Sequence, residues 1–482
     1  MASRLWNLLI PAALAAAGLA LASACDPCAK CSGKKTPTPT GTPTSSSSPT
    51  PTATSTNTAT PTATPTQVVG NSGSGLFALD PVKQIAFIPL LFSPDPISGN
   101  ARVSVLNLAV NPNTTDPRQA TVILGHPDSP TGTALDAKDG IVIVVSGQSG
   151  TGFVDMIDEN TFALLTPTPI TIPGNSQPGD TGQVLFDPVR QVATIGVTDT
   201  DSCPTAGACT GIIDFNPVTK TFGTLIQANY PETFAFNPVT EQLLDASDSN
   251  TAGNTQIVDL NGKRTCTLLD SNLGDDQDGA SFDTTTNIVI ISNEDGTATV
   301  LNLNGSTLSG SGTSCTVTEG GTNPNSVLLT GLPSETAGSA VNSNTHQGFL
   351  IEDTSNGLSL ITMPSNPVTQ IMATQLSQIV SSAPNDPNGC SWETQGDPYA
   401  VAVDSVHNLG YAVATSDSTT SGAAFVMQVD LSKLQSSPGN IPTELPSGNC
   451  AGTTTTFGCN NNNGVVFFAL PPESEGTPFC SD

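Results

Sequence analysis

Apolar and polar residues alternate along most of this chain in short bursts. Runs of five to eight residues rich in Val, Ile, Thr and Phe are broken by clusters of Gly, Asn, Asp, Ser and Pro. Alternation with period two, bounded by turn formers, predicts strands. Only 367–381 reads as a stretch where a short helix competes. The bursts also repeat. A short strand ending in Asp or Asn, a tight turn and an apolar strand recur seven times. The copies read FALDPVKQIAFIP from Phe77, TALDAKDGIVIVV from Thr133, VLFDPVRQVATIGV from Val184, FAFNPVTEQLLDAS from Phe234, ASFDTTTNIVIIS from Ala280, SAVNSNTHQGFLIED from Ser339 and VAVDSVHNLGYAVAT from Val401. The anchors are Asp80, Asp136, Asp187, Asn237, Asp283, Asn342 and Asp404, spaced by 56, 51, 50, 46, 59 and 62 residues. An Asp or Asn opening a turn accepts backbone N–H groups, and a Pro behind it, as at Pro81, Pro188 and Pro238, presets φ.

A third apolar segment follows each pair, from Val103, Gly152, Gly211, Thr255, Ala298, Gly357 and Phe425, and a less regular fourth closes most units. A period near 50 residues suits a four-stranded blade. One blade cannot bury both of its faces, whereas seven in a ring can, leaving only short edges. The predicted fold is all-β: a seven-bladed β-propeller of four-stranded antiparallel blades, spanning 67–482. The repeats resemble the bacterial seven-bladed propellers with YVTN-like or NHL-like blades, most closely in DPYAVAVDSVHNLGYAVAT from Asp397 followed by FVMQVDL from Phe425. The resemblance covers most of 76–470. The Trp-Asp signature is absent, because neither Trp6 nor Trp392 precedes Asp, and so is the paired-glycine kelch pattern.

The N-terminus carries an address. Arg4 precedes an apolar run from Leu5 to Leu21, and Ala22-Ser23-Ala24 forms a small-residue cleavage site, which reads as a signal peptide over 1–24. Cys25 then stands at the first mature position, as in the lipobox of bacterial lipoproteins, although Ala22 occupies the place usually held by Leu. That resemblance implies an acylated Cys25, a membrane partner through the lipid, and a place at the cell envelope. Ordinary secretion after Ala24 is the alternative. Residues 36–66 hold only Thr, Pro, Ser and Ala besides Gly41 and Asn57. No core is built from these, so 25–66 reads as an anchor region and a disordered stalk, reaching roughly 90 Å if fully extended as polyproline II.

Charge narrows the partners. Residues 67–482 carry nine Lys or Arg against 40 Asp or Glu, within a chain of net charge −28. Nucleic acid is excluded as a partner, since phosphate contacts need a basic patch. Protein, glycan and small-molecule ligands remain open. Eleven cysteines occur. In an exported protein they read as disulfide candidates: Cys203 with Cys209, Cys450 with Cys459, and Cys266 with Cys315, the last two at similar positions in neighbouring repeats. Cys28 and Cys31 form a CxxC that lacks the further ligand a zinc site needs.

Catalytic signatures are sparse. His346 and His407 fall in the first turns of blades 6 and 7, and His126 in a loop after blade 1; all three read as surface turn residues. No GxSxG elbow exists. The second strands end in aligned oxygen-bearing residues, Asp199, Asp248, Asn293, Asp353 and Asp417. Either these are ordinary turn formers repeated with the fold, or they converge at one mouth of the ring as ligands for Ca²⁺, which takes six to eight oxygens. Two functions follow: a non-catalytic binding or scaffolding propeller at the cell envelope, or a Ca²⁺-assisted hydrolase or lactonase. No catalytic residue is assigned.

Overall fold

The computed structural model describes residues 77–469 apart from 91–93, 113, 149–150, 176, 179–183, 199–209, 229–232, 247–254, 275–276, 294, 311–314, 321–324, 331, 333–335, 353–356, 366–376, 383–397, 415–424, 433–457 and 461–464. The chain divides into two units, Met1–Thr66 and Gln67–Asp482. The second is a seven-bladed β-propeller. Among the described residues no helix is long and apolar enough to cross a membrane.

Blade 1 holds β1 (Ala78–Asp80), β2 (Ile85–Pro89), β3 (Arg102–Asn107) and β4 (Arg118–Ile123). Blade 2 holds β5 (Pro130–Asp136), β6 (Ile141–Gln148), β7 (Thr151–Asp158) and β8 (Ile170–Thr171). Blade 3 holds β9 (Gln177–Pro178), β10 (Val184–Asp187), β11 (Val192–Thr198) and β12 (Gly211–Asn216), with its outer strand split into β13 (Thr221–Phe222) and β14 (Ile226–Gln227). Blade 4 holds β15 (Thr233–Asn237), β16 (Gln242–Ala246), β17 (Gln256–Asp259) and β18 (Arg264–Thr267). Blade 5 begins β19 (Gln277–Asp283), β20 (Ile288–Asn293), β21 (Thr297–Asn302). It then sends out a hairpin, β22 (Thr307–Ser309) and β23 (Cys315–Thr318), before its own outer strand β24 (Ser326–Leu329). Blade 6 holds β25 (Thr336–Asn342), β26 (Gln347–Glu352), β27 (Gly357–Thr362) and β28 (Ser377–Ser382). Blade 7 holds β29 (Pro398–Asp404), β30 (Leu409–Ala414), β31 (Phe425–Asp430), β32 (Gly458–Asn460) and β33 (Val465–Ala469).

The first three main strands of each blade form an antiparallel meander, and the first strands of blades 1 and 2, 2 and 3, 4 and 5, 5 and 6, and 6 and 7 pack on one another. The apolar alternation explains the core. Successive side chains point to opposite sheet faces, and each face meets a different neighbour. Ala86, Ile88 and Leu106 of blade 1 pack toward blade 7, on Tyr411, Val413 and Phe468, whereas Phe87 and Val105 pack toward blade 2, on Val142 and Val144. The first contact closes the ring. Among the described residues blades 1 and 7 share no strand, and side-chain packing joins them. Close approach needs glycine at the junction of blades 5 and 6, where a Cβ on Gly279 would lie 2.8 Å from the Gly338 Cα.

Two expectations change. The helix option over 367–381 gives way, in its described part, to β28, which continues the blade 6 meander by pairing with β27. The Cys266–Cys315 disulfide is present, with Cα atoms 4.4 Å apart. The two cysteines are not equivalent positions of neighbouring repeats. Cys266 lies in the outer strand of blade 4, and Cys315 lies in the inserted β23, which pairs with β18 in parallel and extends that sheet to six strands. Cys203, Cys209 and Cys450 lie outside the described residues, and Cys459 is described by its backbone in β32 alone.

Candidate functional site

In a four-stranded meander the first–second and third–fourth hairpins share one end of the sheet, here called the turn face. All seven anchors lie there in equivalent turns. Each Oδ1 accepts one or two backbone N–H groups two or three residues on, at 2.8–3.3 Å: Val82 and Lys83 on Asp80, Asp139 on Asp136, Val189 and Arg190 on Asp187, Val239 on Asn237, Thr285 and Thr286 on Asp283, Asn344 on Asn342, Val406 and His407 on Asp404. Four residues after each anchor the chain turns left-handed, at Gln84, Gly140, Gln191, Glu241, Asn287, His346 and Asn408, with φ between 52° and 65°.

The anchors are buried, so the remaining oxygen or amide of each needs a partner. Asn anchors reach forward to the left-handed residue of the next blade: Asn237 Nδ2 donates to Asn287 Oδ1 and Asn342 Nδ2 to Asn408 Oδ1, both at 2.7 Å. Asp anchors take a cation or a ring nitrogen instead. His346 of blade 6 meets Asp283 of blade 5 at 2.7 Å, His407 meets its own Asp404 at 2.6 Å, and the Arg190 guanidinium binds Asp187 at 2.5 Å. Blade 2 carries Gly140 where others carry a side chain, and buried Glu159 occupies the space beside it. Lys83 then bridges Glu159 at 2.5 Å and Asp80 at 3.6 Å. Burial and the neighbouring Asp80 carboxyl push Glu159 up to about 7, against the opposing pull of Lys83. Asp136 has one buried oxygen without a partner, and burial raises it above the usual carboxylate range.

His126 is not a surface residue. Its ring packs on Phe153, with centroids 5.0 Å apart, and its Nε2 lies 2.7 Å from Oδ2 of buried Asp155. Nδ1 faces the Asp128 N–H at 3.2 Å and so accepts, which leaves Nε2 to donate to the carboxylate. Both ring nitrogens are thereby committed to holding a loop between blades 1 and 2. The aromatic neighbour and buried carboxylate explain why a His in a loop between Gly125 and Pro127 folds inward.

Of the five aligned oxygen residues, Asp199, Asp248, Asp353 and Asp417 lie outside the described residues. Asn293 ends β20 and is buried. Its Nδ2 donates to Thr297 Oγ1 at 2.9 Å, and the Thr336 hydroxyl of blade 6 donates to its backbone oxygen at 2.8 Å. Its Oδ1 is buried with no hydrogen-bond partner. Among the described residues no group of three His, Cys, Asp or Glu side chains is arranged so that it could hold a metal ion. Sequence reasoning also passed over Asp245 in β16. It is fully buried, neither carboxyl oxygen has a partner, and burial raises it well above the usual range. The signal was present: eight residues past the anchor the other blades carry Ile88, Val144, Ile195, Ile291, Leu350 and Ala412.

No family model matches the chain, and no curated protein is similar to it in sequence. Many solved structures are similar in shape. One described as the structure of U3-55K is 10% identical with a TM-score of 0.45, covering 71% of this chain and 88% of that one. The crystal structure of RRP9 WD40 repeats is 9% identical with a TM-score of 0.45, covering 71% and 87%. A chain of the mitotic checkpoint complex is 12% identical with a TM-score of 0.49, covering 72% and 86%.

Proposed function

We propose that this protein is a binding or scaffolding propeller displayed at the bacterial cell envelope, held by a lipid on Cys25 and spaced from the membrane by the Thr/Pro/Ser segment. The binding role is supported by the fate of its reactive groups. All three histidines bond to buried carboxylates that hold turns or loops in place. What the described surface offers is recognition area, for a protein, glycan or small-molecule ligand. The display is tested by fractionation: the parent sediments with membranes, and Cys25→Ser releases it; equal recovery of both in the soluble extracytoplasmic fraction ends the anchor. Catalysis is tested with aryl esters and lactones. Calcium-dependent turnover that chelator abolishes would overturn the binding reading.

A second reading keeps a calcium site at the opposite mouth, where calcium would polarise a carbonyl. It rests on the partnerless Oδ1 of Asn293 at a strand end that Asp199, Asp248, Asp353 and Asp417 share in sequence. Calcium binding then raises the melting temperature by mass action, and Asp248→Asn with Asp353→Asn removes the rise. An unchanged melt across chelator and calcium ends this reading.

A further inference from the structure

Lys83 holds its amine against a carboxyl and a carboxamide at once. It stands three residues past the blade 1 anchor Asp80, the position that holds Arg190 in blade 3 and His407 in blade 7. Those two meet their anchor carboxylates with a guanidinium and an imidazole. Lys83 carries a primary amine instead. Its Nζ reaches across to blade 2, 2.5 Å from Glu159 Oε2 and 3.1 Å from Asn160 Oδ1. A turn fixes the chain beneath that amide: the Asn160 and Thr161 N–H groups donate to Asp158 Oδ1 at 3.0 and 2.8 Å. Gly140 makes the room. A Cβ there would lie 3.2 Å from Asn160 Nδ2 and 3.8 Å from Glu159 Oε2, so the amide nitrogen and the carboxyl stand over the same gap.

The carboxyl has what such a contact needs in order to react. Glu159 is 1% exposed, and its Oε1 has no partner. Its side chain also bonds to Asp80. Burial raises Asp80, but the bonds from Glu159 and from the Lys83 and Val82 N–H groups outweigh it and hold Asp80 low. Glu159 is therefore the carboxyl of the two that changes state near neutral pH, and a group of that affinity can both take a proton and return it. Groups held in contact react as though at very high concentration. We propose that Lys83 and Asn160 become joined by an isopeptide bond, which the folded chain forms by itself with Glu159 as the proton carrier. Ionised Glu159 takes a proton from the Lys83 ammonium, and the freed electron pair attacks Asn160 Cγ. A second Nζ proton passes through Glu159 to Nδ2 as the Cγ–Nδ2 bond breaks and ammonia leaves. Of the three ammonium protons, one stays on the new amide, one departs on ammonia and one is left on Glu159. No oxidant, cofactor or second substrate is required. The Lys83 side chain is 39% exposed, which gives ammonia a way out. The link ties blade 1 to blade 2 across 77 residues of chain, and it is independent of what the ring binds.

The test is mass spectrometry of the full chain carrying Cys25→Ser, which removes any acyl group from the mass. With disulfides reduced, the folded chain is expected to be lighter than its processed sequence by about 17 Da, the mass of ammonia. Trypsin should then release one branched peptide that joins the segments holding Lys83 and Asn160. Glu159→Gln keeps an oxygen for the amine to bond but carries no proton, so the branch should form about a hundredfold more slowly or not at all. Lys83→Arg keeps a cation beside Asp80 and should give the full mass and separate peptides. Recovery of Lys83 and Asn160 on separate peptides from the folded parent, after incubation at neutral pH, overturns the proposal. So does an Asn160 converted to Asp with no branch, which would mean that water attacks the amide. A branch that forms as fast in Glu159→Gln as in the parent overturns the role given to Glu159.

Discussion

Replacing Asp245 with Leu should stabilise the propeller. The carboxyl lies in β16 between Phe234 of β15 and Gln256 of β17, on the sheet face whose Leu243 and Val258 pack in the core shared by blades 3 and 4. Both of its oxygens lack partners. An orphaned buried polar group costs about 1–3 kcal/mol, and the added apolar burial of a Leu contributes about 1–2 kcal/mol at the usual area coefficient. Some is lost to imperfect fit, since Leu is branched differently from Asp. A net gain of about 2–4 kcal/mol raises the melting temperature of a domain this size by about 2–5 °C. The pH dependence gives a second handle. Burial raises the carboxyl in the folded state, so the native chain holds this proton more tightly than the unfolded one. Parent stability therefore falls as pH climbs from the ordinary carboxylate range toward the folded value. The advantage of Asp245→Leu should be smallest in acid and grow with pH. Asp245→Asn removes the titration but keeps a buried polar group, so it should flatten the pH dependence and gain less than Leu. Calorimetry or urea unfolding across pH reads all three. A less stable Asp245→Leu, or a parent curve with the same pH slope as the variant, would show that the carboxyl has a partner in solution and refute the reasoning.

Glu159→Gln should remove a loss of stability that the parent shows as pH rises from the ordinary glutamate range through about 7, because burial and Asp80 favour the protonated acid; melting curves across that window report it. Breaking Cys266–Cys315 by Cys315→Ser with Cys266→Ser should cost about 2–4 kcal/mol, as expected for a link closing 49 residues, and a reductant should then no longer affect the melt. Asn342→Asp should destabilise by about 2–3 kcal/mol, since it buries a carboxylate facing the Asn408 carbonyl oxygen. Adding Asn408→His should recover about 1–2 kcal/mol by recreating the Asp283–His346 arrangement, and a double variant no better than the single would refute that exchange rule.

The architecture was legible because it is written seven times. The anchors, the turn behind each and the apolar strand beyond are local features, and local features survive without knowledge of the partner. The third strands, from Val103 through Phe425, were readable for the same reason. The inserted hairpin was not, because Thr307–Ser309 and Cys315–Thr318 alternate like any blade strand and only pairing with β18 shows that they leave blade 5. Ring closure was equally hidden, since Tyr411 and Phe468 look like ordinary core residues until they meet Phe77 and Ile88 from the far end of the chain. His126 was misjudged because Gly125, Pro127 and Asp128 around it are turn formers, while its neighbours in space are Phe153 and Asp155.

What joins the turn face into one system is the choice between Asp and Asn at the anchor. Backbone N–H groups are satisfied equally well by either, so the turn itself does not choose. The difference appears at the second polar atom. An amide can donate, and it does so to Asn287 or Asn408 of the next blade. A carboxylate can only accept, and therefore draws Arg190, His346, His407 or the Lys83–Glu159 pair to its side. Asp136, with Gly140 after it and Lys138 turned to Gln191, is the anchor left with an orphaned oxygen. Two cations of a strongly acidic chain, Lys83 and Arg190, are thus held at this end of the ring beside buried anchor carboxylates.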